Sequence, residues 1–277
     1  MTIQALEILR ESMNPRLSLH EKKIRFCGRH PWMRKTASSE PVSRNIPRSS
    51  ESAASPYLEK DHGDDALLQN VREKGYAAGL RIAVDAVDEI LNYCQRQQFS
   101  PNRDAVRKVP FSLESDDPSL RVLSLMNPHE NNEIVKSLSV DKTILSVVEG
   151  YFKSSPVLHS SQIWVTLPTA GKPEHHDYGF HYDIDAYEML KVFFYLTEVD
   201  TESGPHVLIE ATHREGTAYK FFNRRLSDEQ AADRYGDRVK SMMGRKGEGF
   251  FEDTFAYHKG QYPKRARVIL QLEYVVG

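Results

Sequence analysis

Two patterns of apolar residues divide the chain into a helical first part and a second part made of strands. From Asp64 onward, apolar residues recur every three or four positions, which predicts amphipathic helices. These helices are predicted over residues 64–74, 82–96, 130–138 and 140–152. After Pro156, alternating and continuous runs of strand-forming residues predict β-strands. These strands are predicted over residues 161–167, 191–199, 207–209, 249–251 and 268–276. Short strands joined by Gly/Pro turns, with helices ahead of them, indicate a mostly β fold with flanking helices around a jelly-roll, cupin-like core.

Two segments depart from this pattern. Residues 1–56 include a Ser/Pro-rich stretch with little to bury, which predicts a partly flexible N-terminal extension ahead of one domain over residues 57–277. Its first 50 residues carry ten Lys/Arg against four Glu, consistent with a solvated tail or with an arm that contacts an anionic partner. Residues 214–249 form a charged insertion, with a helix predicted at 227–235 behind a Ser227/Gln230 capping box. Insertions of that size in a compact barrel are typically lids or binding elements.

Composition narrows the class of protein. The 277 residues are 39% hydrophobic with a formal net charge of −2, which suits a globular protein and gives no global reason to expect a nucleic-acid partner. Cys27 and Cys94 are the only cysteines, too few for a disulfide framework. No stretch resembles a signal peptide or a membrane span, so we expect a cytoplasmic protein that acts on a small-molecule substrate. The oligomeric state and the substrate itself are not encoded in any motif.

The chemistry centres on His181-Tyr-Asp183. Side chains on a strand alternate with period two, so His181 and Asp183 point to one face and can reach a single cation. His258, near the C-terminus, is the candidate third ligand. Two histidines and one carboxylate on one face of a metal are the arrangement of non-haem Fe(II) oxygenases. The rival His175-His-Asp177 has the same spacing but lies in a Gly/Pro-containing loop, whereas a long apolar strand supports His181 and Asp183.

A cationic anchor for an organic acid is predicted at the start of the last strand. Arg267 opens the apolar run there and has the forked donor geometry that grips a carboxylate; Arg265, two residues earlier, is the second candidate. Further candidates that meet cosubstrate or substrate are the alternating residues of the strand entering the barrel and one lysine, namely Gln162, Trp164, Thr166 and Lys191. Ordinary strand packing explains the alternating residues equally well.

The order of several motifs resembles a known family. The motifs are His181-Tyr-Asp183; Leu190-Lys-Val-Phe-Phe-Tyr-Leu-Thr-Glu-Val-Asp-Thr-Glu-Ser-Gly-Pro205; Ala211-Thr-His-Arg214; Asp253-Thr, His258-Lys-Gly260; and Arg267-Val-Ile-Leu-Gln271. Together they resemble the phytanoyl-CoA dioxygenase family, Fe(II)- and 2-oxoglutarate-dependent oxygenases built on a double-stranded β-helix. The resemblance covers residues 64–277. It implies that the iron ligands are His181, Asp183 and His258, that Arg267 anchors 2-oxoglutarate, and that O2 is the second cosubstrate. An acid at position 183 argues against a halogenating relative.

The resemblance implies a dioxygenase that releases succinate and CO2 and hydroxylates a C–H bond of a small organic molecule. Two other classes stay open from the sequence. One is a cupin-type metal enzyme that uses no 2-oxoglutarate and needs no arginine at position 267. The other is a non-catalytic metal-binding barrel that retains the ligands.

Overall fold

The computed structural model describes residues 13–15, 17–37, 46–168 and 179–276. Its helices are α1 (Leu19–Cys27), α2 (Pro31–Ala37), α3 (Asp64–Lys74), α4 (Val84–Cys94), α5 (Glu133–Ser139), α6 (Lys142–Phe152), α7 (Ala218–Phe222) and α8 (Asp228–Tyr235). Its first seven strands are β1 (Leu58–Lys60), β2 (Tyr76–Ile82), β3 (Gln98–Pro101), β4 (Val109–Pro110), β5 (Val122–Met126), β6 (Pro156–Thr166) and β7 (Phe180–His181). The others are β8 (Met189–Tyr195), β9 (His206–Ile209), β10 (Arg225–Leu226), β11 (Val239–Met242), β12 (Glu248–Glu252), β13 (His258–Gly260) and β14 (Arg267–Val276).

The strands form two antiparallel sheets. The large sheet has the order β1-β2-β12-β8-β14-β6-β5-β3-β4, and the small sheet has the order β10-β7-β13-β9-β11. Neighbours in space are far apart in sequence, as in β8, which lies between β12 and β14. A chain that passes back and forth between two antiparallel sheets in this way forms a jelly roll. The predicted double-stranded β-helix core with flanking helices is therefore confirmed.

The main core lies between the large sheet and the helices that cover its outer face. Helix α3 begins and ends where the sequence predicts. Its C-terminal end is set by Gly75, which takes a left-handed conformation (φ 88°). Helix α6 is capped by Asp141, whose carboxylate accepts from the backbone N–H groups of Thr143 and Ile144. Apolar side chains of α3 to α6 pack against the outward residues of β8 and β14 in one continuous cluster. This layer supports the central strands from outside.

Several edge elements were not predicted. Strands β1, β3, β4 and β5 extend the large sheet at its two ends, in segments that are short, polar or rich in proline, where period-two alternation is too brief to read. The charged insertion contains the predicted helix, and its capping box between Ser227 and Gln230 is present. It also contributes β10 and β11 to the small sheet, so part of this segment belongs to the barrel itself.

Two described parts of the first 56 residues pack against the domain. Arg29 lies just before α2 and Arg34 lies within it, and both are buried. Arg29 donates a hydrogen bond to the backbone carbonyl of Phe221, and Arg34 donates one to that of His213. Ile46 joins the main core, and the backbone N–H of Ser49 donates to the Glu149 carboxylate at 3.0 Å. The composition of this region did not indicate these contacts. Within the described residues, no helix has the length and apolar character needed to cross a membrane.

Candidate metal centre

The three residues of the predicted triad lie together inside the barrel. His181 ends β7 and pairs across the small sheet with His258, the first residue of β13, and their ring centroids are 4.6 Å apart. Asp183 follows β7, where its backbone N–H donates to the carbonyl of Thr254 at 2.8 Å. Each of the three residues offers one potential ligand atom, and these three atoms all lie within 4.8 Å of one another. The pairing of β7 with β13 is what brings these distant parts of the sequence together.

Both imidazoles are oriented with Nε2 towards the carboxylate. The Nδ1 atom of His181 lies 2.9 Å from the carbonyl oxygen of Gly179, and that of His258 lies 3.0 Å from the carbonyl oxygen of Ala256. Since a carbonyl only accepts, each Nδ1 carries the hydrogen and each Nε2 keeps a lone pair. The two Nε2 atoms lie 3.9 and 3.7 Å from the carboxylate oxygens of Asp183. Two nitrogen donors and one oxygen donor thus converge on one point, a donor set that suits Fe(II).

A buried lysine sets the charge of this cluster. The Lys191 ammonium donates to Asp183 Oδ2 at 2.8 Å and lies 3.8 and 3.9 Å from the carboxylates of Asp185 and Glu273. Burial alone would raise the pKa of Asp183, but the charge and hydrogen bond of Lys191, together with the neighbouring His258 and His181, outweigh it and hold that pKa well below its ordinary value. Burial, reinforced by the neighbouring His258, lowers the pKa of His181 to about 4. At neutral pH the carboxylate is therefore ionised and this imidazole neutral, the protonation states that metal ligands require.

The two candidate arginines occupy different environments. Arg267 is buried at the start of β14, in register with Thr166, whose hydroxyl lies 3.4 Å from Nη2; Nη1 donates to the carbonyl of Gly204. The Arg265 side chain is 58% exposed and forms an ion pair with Asp200. The strand begins only at residue 267, so the second candidate, Arg265, lies ahead of it and does not share its alternation. Arg267 alone points into the barrel.

The inward residues of β6 pair with those of the neighbouring strand β14 in the large sheet. Thr166, Trp164 and Gln162 are in register with Arg267, Ile269 and Gln271, respectively. The Trp164 indole N–H donates to the side-chain oxygen of Gln162, and the guanidinium of Arg103 lies 4.7 Å from the Trp164 ring centroid. Both side chains are half-buried. These predicted residues thus form one polar wall of the barrel, with Arg267 at one end.

A second buried ionisable pair lies beside the triad and was not predicted. His206 Nε2, on β9, approaches Glu252 Oε2, on β12, to 2.7 Å, although the two groups are not aligned as a hydrogen bond. The Glu252 carboxylate is fully buried, and the contact joins the two sheets. The His206 ring stacks on that of His258, with centroids 5.4 Å apart and planes 25° apart, and on Phe193 at 5.6 Å. A signal was available, because a glutamate ending an apolar strand is unusual for a core position.

Glu273 is another inward acid that the sequence reading passed over. It is buried on β14, and the hydroxyl of Ser160 donates to its Oε2 at 3.1 Å, while Oε1 has no hydrogen-bond partner within the described part of the chain. Its position follows from alternation, since it lies six residues beyond Arg267 on the same face. The rival motif His175-His-Asp177 lies outside the described residues.

Solved structures with this architecture include proteins with a bound metal and, in one case below, 2-oxoglutarate. The chain is similar to HygX from Streptomyces hygroscopicus with nickel and 2-oxoglutarate bound, at 11% identity and a TM-score of 0.55 over 76% of this chain and 86% of that chain. It is similar to EctD from S. alaskensis with bound Fe, at 15% identity and a TM-score of 0.55 over 83% of each chain. SnoN, the non-haem alpha-ketoglutarate-dependent epimerase from nogalamycin biosynthesis, matches at 14% identity and a TM-score of 0.51 over 77% of this chain and 82% of that chain.

No family model matches the chain, and no curated protein matches it. The structural similarity establishes the class of fold, a double-stranded β-helix shared with these proteins. At such low identities it does not transfer a substrate or a reaction. The function has to be argued from the residues of the barrel.

Proposed function

We propose that this protein is an Fe(II)- and 2-oxoglutarate-dependent dioxygenase that hydroxylates an unactivated C–H bond of a small organic molecule, releasing succinate and CO2. One observation carries the proposal: the triad of His181, Asp183 and His258 shares the barrel interior with a buried arginine, Arg267. A metal-binding barrel alone would not need that arginine. The nickel and 2-oxoglutarate bound to HygX, the iron bound to EctD, and the motif resemblance to the phytanoyl-CoA dioxygenases support the same class.

The proposed roles follow from the donor set. His181, Asp183 and His258 would hold the iron on one side and leave its other side open. Arg267 would bind the distal carboxylate of 2-oxoglutarate through its guanidinium, with the Thr166 hydroxyl beside it as a further donor. When bound, the iron supplies the oxidative chemistry that couples decarboxylation of 2-oxoglutarate to C–H oxidation. The protein supplies binding, orientation and exclusion of water.

Other residues of the barrel would tune and shape this centre. Lys191 keeps the Asp183 carboxylate ionised and fixed at 2.8 Å. The wall formed by Gln162 and Trp164 offers an amide and an indole ring to the cosubstrate or the substrate. We assign the latter two to binding and positioning, since neither carries a group suited to move a proton in the reaction.

The test is an anaerobic titration of Fe(II) into the purified protein, followed by visible absorption with and without 2-oxoglutarate. We expect a weak metal-to-ligand charge-transfer band that requires both components. Succinate formation on admission of air would then report turnover in a substrate screen. If iron binds but no band develops with 2-oxoglutarate, the cupin-type or non-catalytic alternative replaces this proposal.

A further inference from the structure

A cavity of about 780 Å³ lies outside the barrel interior. Its walls come from α2, the C-terminal end of α6, and the segments that follow β9 and β12. Neither the triad nor Arg267 is among the described residues that line it. Its volume falls in the range of small-molecule sites, which are usually about 300–1,000 Å³. The cavity is therefore large enough for a ligand of its own.

The lining of this cavity is cationic. Four basic side chains face two acidic ones; the basic residues are Arg34, Arg72, Lys153 and Arg214, and the acidic ones are Glu188 and Asp253. The Asp253 carboxylate is already engaged, because it accepts from the Tyr151 hydroxyl at 2.5 Å and from the Phe255 backbone N–H at 2.9 Å. It is thus less available to neutralise a cation across the cavity. The remaining charge balance favours an anionic ligand.

Arg34 is held rigidly in one wall. Its residue exposure is 9%, and its guanidinium carbon lies 3.5 Å from the centroid of the Phe255 ring. Nη2 donates to the carbonyl of His213 at 3.1 Å, and the described part of the chain supplies no other hydrogen bond or ion pair to this guanidinium. Stacking fixes the planar group while most of its N–H donors stay available. A guanidinium held in this way can donate two parallel hydrogen bonds to the oxygen atoms of a phosphate.

Lys153 and Arg214 line the same cavity from exposed positions. Within the residues that the structure describes, neither side chain has a hydrogen bond or an ion pair. Arg72 is partly committed, since it donates to the carbonyl of Gly150 at 2.5 Å. Lys153 and Arg214, which line the cavity together with Arg34, can each add a charge-assisted hydrogen bond to one multiply charged anion.

We propose that this cavity is a binding site for a phosphate group, either free phosphate or the phosphate of a small metabolite. A phosphate offers enough acceptor oxygens for Arg34, Lys153 and Arg214 at once, and its double negative charge balances the excess of cations. The site is also connected to the metal centre. Thr254, between the lining residues Asp253 and Phe255, accepts the backbone N–H of Asp183 at 2.8 Å. The inference stands without the proposed oxygenase activity, because it concerns binding alone.

Calorimetric titration of the full-length protein with inorganic phosphate and with glycerol 3-phosphate, at low ionic strength, tests the site. We expect saturable binding of at least one of them, with a rise in Tm of roughly 5 °C at a hundredfold excess over Kd. A clear preference for glycerol 3-phosphate identifies a phosphate ester as the ligand, whereas equal affinity identifies free phosphate.

A double variant locates the binding. Lys153→Ala/Arg214→Ala should weaken phosphate binding at least tenfold, equivalent to about 1.4 kcal/mol or more, since it removes two charge-assisted hydrogen bonds. Both side chains are exposed and have no partner among the described residues, so the variant should fold, which circular dichroism can verify. The matched control, Arg96→Ala/Arg245→Ala, removes two exposed arginines elsewhere and should change Kd less than twofold. Equal affinity of the double variant and the parent protein, or no binding of either ligand, would overturn the proposal.

Discussion

The two faces of the central strands β8 and β14 are both buried, yet only the inward face carries charged side chains. The outward residues are apolar and pack under the helices, among them Val192 and Leu270. The inward residues include Lys191, Arg267 and Glu273, which are equally inaccessible to solvent. Since side chains alternate along a strand, a register shift of one residue would exchange the two sets. Burial therefore does not by itself distinguish residues that hold the fold from residues that carry chemistry.

The two faces contribute differently to the free energy of folding. Burying an apolar side chain stabilises the fold by about 1.5–3 kcal/mol. A buried charge is unfavourable unless it is paired and hydrogen-bonded, and even a paired one is weak evidence for stability. The barrel interior contains several such charges, including Lys191, Arg267 and Glu252. A barrel interior of this kind is better explained by a bound metal and cosubstrate than by stability.

The largest effect is expected from removing the inward carboxylate ligand. Asp183→Ala deletes the oxygen donor of the proposed triad and leaves the buried Lys191 without its closest partner. We expect iron content after reconstitution to fall to background and succinate formation to drop at least a thousandfold. Metal analysis of the desalted protein is the primary measurement. Asp185→Ala is the matched control, because this acid lies two residues away, is 52% exposed, and should leave iron content unchanged. Full iron content in Asp183→Ala would refute the ligand assignment.

On the outward face, a substitution should affect stability and not chemistry. Leu270→Ala leaves a cavity in the main core, where the parent side chain is fully buried, and such changes destabilise proteins by about 2–5 kcal/mol. Urea unfolding should show this loss, while the Kd for iron, measured well below the transition, stays within twofold. Gln271→Ala changes the neighbouring inward residue and should lower stability less. A smaller loss for Leu270→Ala than for Gln271→Ala would contradict the division between the two faces.

Arg267 is the inward residue whose loss should affect one ligand selectively. Arg267→Ala removes the proposed anchor, and we expect the affinity for 2-oxoglutarate to fall about a hundredfold, equivalent to about 2.7 kcal/mol. Titration of the charge-transfer band measures this value directly, and iron binding should persist. Arg265→Ala provides the control, because that side chain is exposed and paired with Asp200, so its effect should be less than twofold. Unchanged affinity in Arg267→Ala would favour the cupin-type alternative.

The sequence predicted the parts of the structure that depend on local pattern. The C-terminal end of α3 follows from Gly75, and the five predicted core strands follow from their apolar runs. His181 and Asp183 lie close together as predicted, although Asp183 follows the short strand β7 and does not belong to it. The local sequence pattern does not determine which strands become neighbours in the sheets. The contact between His206 and Glu252 requires β9 and β12 to face each other across two sheets, and the outward turn of Arg265 depends on where β14 begins. Only the assembled topology supplies this information.

The pH dependence of stability should be set in part by a buried lysine on the opposite side of the small sheet from the triad. Lys220 donates to the carbonyl of Phe255 at 2.6 Å and lies 4.9 and 5.3 Å from the ring centroids of Tyr182 and Tyr257. Burial, with the charge of Arg34 added, lowers the pKa of Lys220 to about 7. Between about pH 7 and pH 10 the unfolded chain then binds a proton that the folded protein does not. Stability should therefore rise with pH through this window, by up to about 1.4 kcal/mol per unit from this group.

Lys220→Met removes this titration, so its free energy of unfolding should rise less steeply with pH than that of the parent protein. Urea unfolding at pH 7, 8, 9 and 10 gives the two slopes, and other groups that titrate in this range cancel in their difference. Lys136→Met, at a lysine whose side chain is 60% exposed, should keep the parent slope. Identical slopes for Lys220→Met and the parent would mean that Lys220 stays charged in the fold. Its carbonyl contacts would then compensate its burial, as the carboxylates around Lys191 do inside the barrel.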